Sequence, residues 1–153
     1  MAATHILVTT DLSDDAQRAF PHAMALARSN RAKVTLLHVV EVVRAVPHGA
    51  PFAPSIPDPG MNSIMEDAEA TLVRMSATFE GIAVMPVVVL AGDVGATVAR
   101  EAAERGCDLI VLSTHGRTGF RRLVLGSMAE SILRHSHVPV LAIPPSEAAA
   151  VTD

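Results

Sequence analysis

The residues best placed to do chemistry lie in one stretch toward the C-terminal end. Ser113, Thr114, His115, Gly116, Arg117, Thr118 and Gly119 come first, and Leu125, Gly126 and Ser127 follow after a short interval that contains Arg121 and Arg122. The helical periodicity that starts at Ser127 makes this a glycine-bearing loop feeding a helix N-terminus, which is an arrangement suited to phosphate. First-turn N–H groups point at an anion, the helix dipole favours negative charge there, and glycine lets the backbone approach closely. Ser127 can add a hydroxyl, and Arg117, Arg121 or Arg122 can add charge. The same residues also admit a purely structural reading. Ser127 and Glu130 have the S-x-x-E spacing of a capping box, Gly116 and Gly119 suit ordinary turns, and arginines on a loop are commonly solvated.

A second group is Thr9, Thr10, Asp11, Leu12 and Ser13, just after an apolar run, with Asp14 and Asp15 close behind. Three carboxylates repel phosphate, so Asp11 suits a ribose hydroxyl or a metal better; its structural alternative is a dipole-favouring carboxylate at a helix start. Ala91, Gly92 and Asp93 form a third such group. His115 has no carboxylate partner in sequence and reads as a loop residue rather than a general base. His135 and His137 bracket a helix end, where the dipole favours them. His38 reads as a packed residue in mid-strand, and Cys107, without a CxxC or Cys–His arrangement, as structural. No G-x-x-x-x-G-K-[ST] occurs, and Lys33 is the only lysine, which excludes a Walker-type nucleotidase. No G-x-G-x-x-G occurs either, which argues against a dinucleotide site.

These groups are positioned by two kinds of segment in alternation. His5–Thr9, Lys33–Val40, Ile82–Leu90, Asp108–Leu112 and Val138–Ile143 are near-continuous apolar runs, as expected of strands covered on both faces. Ser13–Ser29, Met61–Phe79, Val94–Arg105 and Ser127–His135 carry apolar residues every three to four positions and read as amphipathic helices. The order β-α-β-α-β-α-β-α-β predicts an α/β fold with a parallel open sheet and helices on both faces. In such a sheet a ligand sits beyond the carboxyl ends of the strands, at the point where the strand order reverses. Val46–Gly60 holds five of the ten prolines and reads as a long connection that cannot be a regular element. Residues 1–144 are expected to form one domain and 145–153 a flexible tail.

Composition narrows the function classes. A chain of 153 residues is long enough for one self-sufficient core without metal or disulfide. Aromatics amount to 3%, with no Trp or Tyr, so the core is aliphatic and base-stacking nucleic-acid modules are disfavoured. Twelve basic against sixteen acidic residues give a net charge of −4, which offers no attraction to nucleic acid or anionic lipid. One cysteine, no signal-like N-terminus and no long apolar run lead to the expectation of a cytoplasmic protein without a membrane span.

The run from Ser113 to Ser127 resembles the signature loop of the universal stress protein family, whose nucleotide-binding members carry G-x2-G-x9-G-[ST]; here the spacing is Ser113-x2-Gly116-x9-Gly126-Ser127. The opening run from Ile6 to Asp14, the second strand around Leu36–Val40 and the closing Ile132–Ile143 resemble the same family, so the likeness spans the chain. It implies a five-stranded sheet ordered 3-2-1-4-5, of the adenine nucleotide alpha hydrolase-like kind, with the switch point between strands 1 and 4. It further implies an adenine nucleotide (ATP, or AMP or ADP) bound there. Thr9, Thr10 and Asp11 would face the adenosine end, and Val39 would contact adenine through its backbone. Leu112 and Ser113 would lie by the ribose. Gly116, Arg117, Gly126, Ser127 and the N–H of Met128 would hold the phosphates, and Mg or Mn would bridge them without protein side-chain ligands. The resemblance also implies a homodimer through strand 5 and a regulatory role in stress response, with at most slow ATP hydrolysis because no base, nucleophile and orienter are assembled. Two alternatives are a dimeric interaction protein that binds no nucleotide, and a hydrolase or transferase on the related scaffold, which usually needs a second domain. The chain departs from the family at two positions. Ser113 stands where the motif has its first glycine, and Thr9 where several relatives have proline. A glycine needed for positive φ makes serine costly there, whereas a glycine needed only for its size lets serine fit.

Overall fold

The computed structural model describes residues 3–42, 59–114 and 126–144. Five strands, β1 (His5–Thr9), β2 (Lys33–Glu41), β3 (Val84–Ala91), β4 (Leu109–Ser113) and β5 (Val140–Ile143), form one parallel sheet in the order β3-β2-β1-β4-β5. The helices are α1 (Ala19–Asn30), α2 (Pro59–Ser76), α3 (Val94–Glu104) and α4 (Ser127–His135), with a single 3-10 turn at Ala16–Arg18 before α1. Both the class and the order expected from the sequence are observed.

β1 is central and all five of its residues are buried. Its alternating side chains feed two aliphatic cores. Ile6 and Val8 pack with Ala19, Phe20, Ala23, Leu36, Leu72 and Phe79 on the α1/α2 side. Leu7 packs with Leu37, Val98, Ala102, Ile110 and Ile132 on the α3/α4 side. Phe20 and Phe79 meet with ring centroids 5.0 Å apart and tilted by 52°, a favourable aromatic geometry.

Several boundaries differ from the sequence expectation for physical reasons. The first helix does not run from Ser13: a 3-10 turn occupies Ala16–Arg18 and α1 starts at Ala19. Pro21, third in α1, has no N–H to give to the carbonyl four residues back, so a continuous α-helical ladder cannot begin earlier. Pro59 and Gly60, placed in the irregular connection by their composition, open α2 instead; proline is tolerated at a first helical position because its missing N–H would have no intrahelical partner there. The rest of that connection and the 145–153 tail lie outside the described residues.

Both sheet edges carry apolar strands, but they are not equivalent. Val34 N–H donates to Ala83 O (2.8 Å) and Val42 N–H to Ala91 O (2.9 Å), so the odd-numbered residues of β3 face β2. The even-numbered ones, Pro86 among them, therefore turn their main-chain groups to the open edge. Proline there removes a donor from the edge and blunts it against further pairing. β5 is only four residues long and contains neither proline nor charge.

Candidate functional site

The carboxyl ends of β1 and β4 meet at the switch point of the sheet, where one neighbour order runs toward β3 and the other toward β5. In the first of the two loops here, the chain leaves the sheet through a tight local network. Thr10 Oγ1 accepts from Leu12 N–H (3.0 Å), Asp11 Oδ1 accepts from Ser13 N–H (3.0 Å) and from the Ser13 hydroxyl, and Ser13 Oγ accepts from Ala16 N–H (3.2 Å). Short polar side chains that bond the backbone two or three residues on are what turn a chain. Leu12 is held at φ 66° as a result. Asp14 and Asp15 engage their own turn, through Gln17 Nε2 (3.1 Å) and Arg18 (3.0 Å) respectively.

Where β1 ends, the pairing of β1 with β2 ends too. The register closes at Thr9 against Leu37, and Thr10 N–H still donates to Leu37 O (3.0 Å). The next bond of a regular parallel ladder would join the Thr10 carbonyl to Val39 N–H. Instead that carbonyl accepts from His38 Nδ1 at 2.8 Å. By the alternation of the strand, Val39 N–H and C=O face the β1 side, beyond the last paired residue of β1. The Val39 side chain is buried in the α3/α4 core, so it is the main chain of this residue that borders the cleft.

The second loop ends at α4. Gly126 is the N-cap, with φ −63° and ψ 153°, and Glu130 N–H donates to its carbonyl at 2.9 Å. Ser127 is therefore the first helical residue rather than the cap, and no side-chain cap bond forms. The Ser127–Glu130 capping box allowed by the sequence is not made, because Gly126 occupies the cap position. The N–H groups of Ser127, Met128 and Ala129 precede the first intrahelical bond and have no intrahelical acceptor. A Cβ at Gly126 would stand 2.8 Å from the Thr114 carbonyl oxygen. Glycine is needed there for close approach between the end of β4 and the start of α4, not for a left-handed backbone.

Of the eleven site residues expected from sequence, nine are described. Thr9 and Thr10 are buried at the end of β1, and Asp11 is half-buried in the turn. Leu112 is 3% exposed, with its side chain in the core, so only its main chain can meet a ligand. Ser113 ends β4 in register with Ile143, and its φ is not positive. The steric cost that a left-handed conformation would impose on serine is thus absent. Gly126, Ser127 and Met128 open α4, with Ser127 and Met128 exposed. Gly116 and Arg117, like His115, Gly119, Arg121 and Arg122, lie outside the described residues. Asp93, in the loop after β3, caps α3 by accepting from Ala96 N–H (3.0 Å) and is committed to that role. The sequence alone presents His38 as a packing residue; the signal for more is its place next to the last ladder position of β1, visible only once the register is known.

The three groups among the described residues whose titration is shifted, Cys107, His5 and Asp108, sit at the opposite end of the sheet. Burial pushes the Cys107 thiol up to about 11, which keeps it protonated and unreactive. His5 is buried, with Nε2 2.9 Å from Thr35 Oγ1, and burial together with nearby Lys33 lowers its pKa. Asp108 accepts from Thr4 N–H (2.8 Å), the Thr4 hydroxyl (2.7 Å) and His5 N–H (3.2 Å). Burial acts to raise its pKa, but these hydrogen bonds outweigh it and hold the carboxyl below its ordinary value. Among the described residues no three His, Cys, Asp or Glu side chains converge as a metal site, and no helix is long and apolar enough to cross a membrane.

This is a doubly wound parallel α/β protein of the adenine nucleotide alpha hydrolase-like fold, with its polar loops gathered at the switch point. Residues 3–144 match the model of the universal stress protein family, and the chain belongs to that family. It is 30% identical over 144 residues to Universal stress protein MJ0531 of Methanocaldococcus jannaschii, covering 90% of this chain and 80% of that one. It is 33% identical over 139 residues to Universal stress protein A homolog 1 of Coxiella burnetii, covering 91% and 94%. Among solved structures, that of MJ0577 superposes with a TM-score of 0.77 at 22% identity, over 97% of this chain and 100% of that one. A universal stress protein in complex with cAMP matches at TM-score 0.64 and 22% identity, over 94% and 98%. The Archaeoglobus fulgidus protein in complex with dAMP matches at 0.61 and 20%, over 94% and 99%.

Proposed function

We propose that this chain is a stress-response regulatory protein that binds an adenine nucleotide, ATP or AMP, in the cleft between β1 and β4. Two features near the carboxyl ends of the strands carry the reading. In one, the main chain of Val39 is left beyond the ladder at the base end. In the other, α4 opens on a glycine packed against the Thr114 carbonyl, with Ser127 uncommitted to a cap. The complexes of family members with cAMP and dAMP support the ligand class. In this reading Thr9, Thr10, Asp11 and Val39 border the adenosine, and Leu112, through its main chain, and Ser113 lie beside the ribose. Gly126, Ser127 and the Met128 N–H receive the phosphates with Gly116 and Arg117. A divalent cation would bridge the phosphates from the nucleotide side. No base and nucleophile are assembled among the described residues, so hydrolysis is expected to be slow. The protein is expected to act in the cytoplasm as a homodimer through β5.

The test is calorimetric titration of the Gly126→Ala, Ser127→Ala double variant beside the wild type. Loss of at least about tenfold in ATP affinity, with the folded state intact by circular dichroism, is the expected result. Undiminished ATP binding by the double variant would move the site away from α4. The reading without nucleotide draws its support from Ser113, and the absence of a positive φ there favours the nucleotide reading over it.

A further inference from the structure

We infer that His38 is a positioning residue for the base end of the nucleotide site: its Nδ1–H holds the Thr10 carbonyl, and so keeps Val39 N–H available to a purine edge. The inference rests on the nucleotide reading above and deepens it. A carbonyl only accepts, so the 2.8 Å contact with Thr10 O requires the proton on Nδ1. The tautomer of the ring is thereby fixed by the main chain of the neighbouring loop.

The consequence follows from the ladder. Lys33 N–H donates to Thr4 O (3.1 Å) at the start of the β1/β2 pairing, and Thr10 N–H donates to Leu37 O (3.0 Å) at its end. Continuation would consume Val39 N–H on the Thr10 carbonyl and draw Thr10 and Asp11 over the cleft as a further length of strand. His38 supplies the alternative donor from the other face of β2, on the side of Leu36 and Val40. The carbonyl turns toward it, and the chain then enters the Thr10–Ser13 turn with Leu12 at φ 66°. A buried carbonyl without a partner would be costly, so the histidine lets the ladder end without that cost.

A main-chain N–H that the ladder does not use, beside a C=O on the same edge, matches adenine, whose N1 accepts and N6 amino group donates. Guanine presents the reverse polarity, O6 accepting and N1–H donating, and is repelled by the same pair. His38 therefore acts on base discrimination through Val39 and touches no ligand itself.

The experiment compares wild type with His38→Asn, His38→Gln and His38→Leu by calorimetric titration with ATP and GTP. The amide nitrogen of asparagine can occupy the place of Nδ1, whereas that of glutamine falls nearer Nε2. The Asn variant is expected to keep ATP affinity within about threefold, while Gln and Leu each lose about tenfold and lose preference for ATP over GTP. Nitrogen-15 spectra of the wild type should show the proton on Nδ1. If His38→Leu does not fold, the Asn and Gln pair decides. Equal behaviour of Asn and Gln, retention of wild-type affinity and preference by all variants, or a proton on Nε2 would overturn the inference. A wild type that binds neither nucleotide would overturn the nucleotide reading itself, and this inference with it; that failure is distinct because it appears before any variant is made.

Discussion

Ser113 and Gly126 illustrate how similar motif positions can have different physical demands. Gly126 has an ordinary extended backbone, yet a side chain there would run into the Thr114 carbonyl at 2.8 Å. Ser113 sits at the end of β4 with no positive φ, so its side chain carries no conformational strain. We therefore expect Ser113→Gly to leave ATP affinity within about threefold of wild type, because it relieves no strain; a tenfold gain on calorimetric titration would contradict this. The types and spacing of Thr10, Asp11, Gly126 and Ser127 marked them out as candidates in the sequence. The role of His38 was not legible there, because a ring nitrogen meeting a carbonyl 28 positions away depends on strand register. The capping box was legible but wrong. Whether Ser127 caps or begins the helix is decided by the backbone at Gly126, which carries no side-chain signal.

At the scale of elements, the strands were the most readable feature. Runs such as His5–Thr9 are buried at every position around an apolar Ile6–Val8 centre, which no surface helix tolerates. Helix starts were less readable, since Pro21 delays α1 while Pro59 begins α2, and the same residue type has opposite effects at different positions in a first turn. Pro86 has a further consequence. Its place among the outward-facing residues of β3 predicts that Pro86→Val, which restores an N–H to the open edge, will promote association through β3. On the other edge, Val140 and Ala142 turn outward, and Ala142→Pro should convert the proposed β5 dimer to monomer. Light scattering at micromolar concentration checks both. A Pro86→Val variant no larger than wild type would contradict the first expectation, and an unchanged dimer for Ala142→Pro the second.

For the whole molecule, two groups at the end of the sheet opposite the site make stability depend on acid. Asp108 has its pKa lowered on folding, so its contribution is present above the unfolded value of 3.8 and is lost as pH falls through the lower folded value. His5 also has its pKa lowered; folding then favours the neutral ring, and stability declines as pH falls below the unfolded value of 6.5. Asp108→Asn should cost about 1 kcal/mol at pH 7, after allowance for solvent screening, and should flatten the acid limb of the unfolding midpoint below pH 4. An unchanged acid limb would contradict the assignment. This division of labour, stability at one end of the strands and polar loops at the other, follows from the parallel topology, which gathers every strand's carboxyl end on one rim. The central claim is that the β1/β4 rim binds an adenine nucleotide, and its most direct test is calorimetric titration of the wild-type chain with ATP and Mg²⁺, accompanied by mass spectrometry of any nucleotide released on denaturation. Co-purified adenine nucleotide, or saturable ATP binding in the micromolar range, is the result the account predicts; no released nucleotide and no heat of binding at millimolar ATP would contradict it.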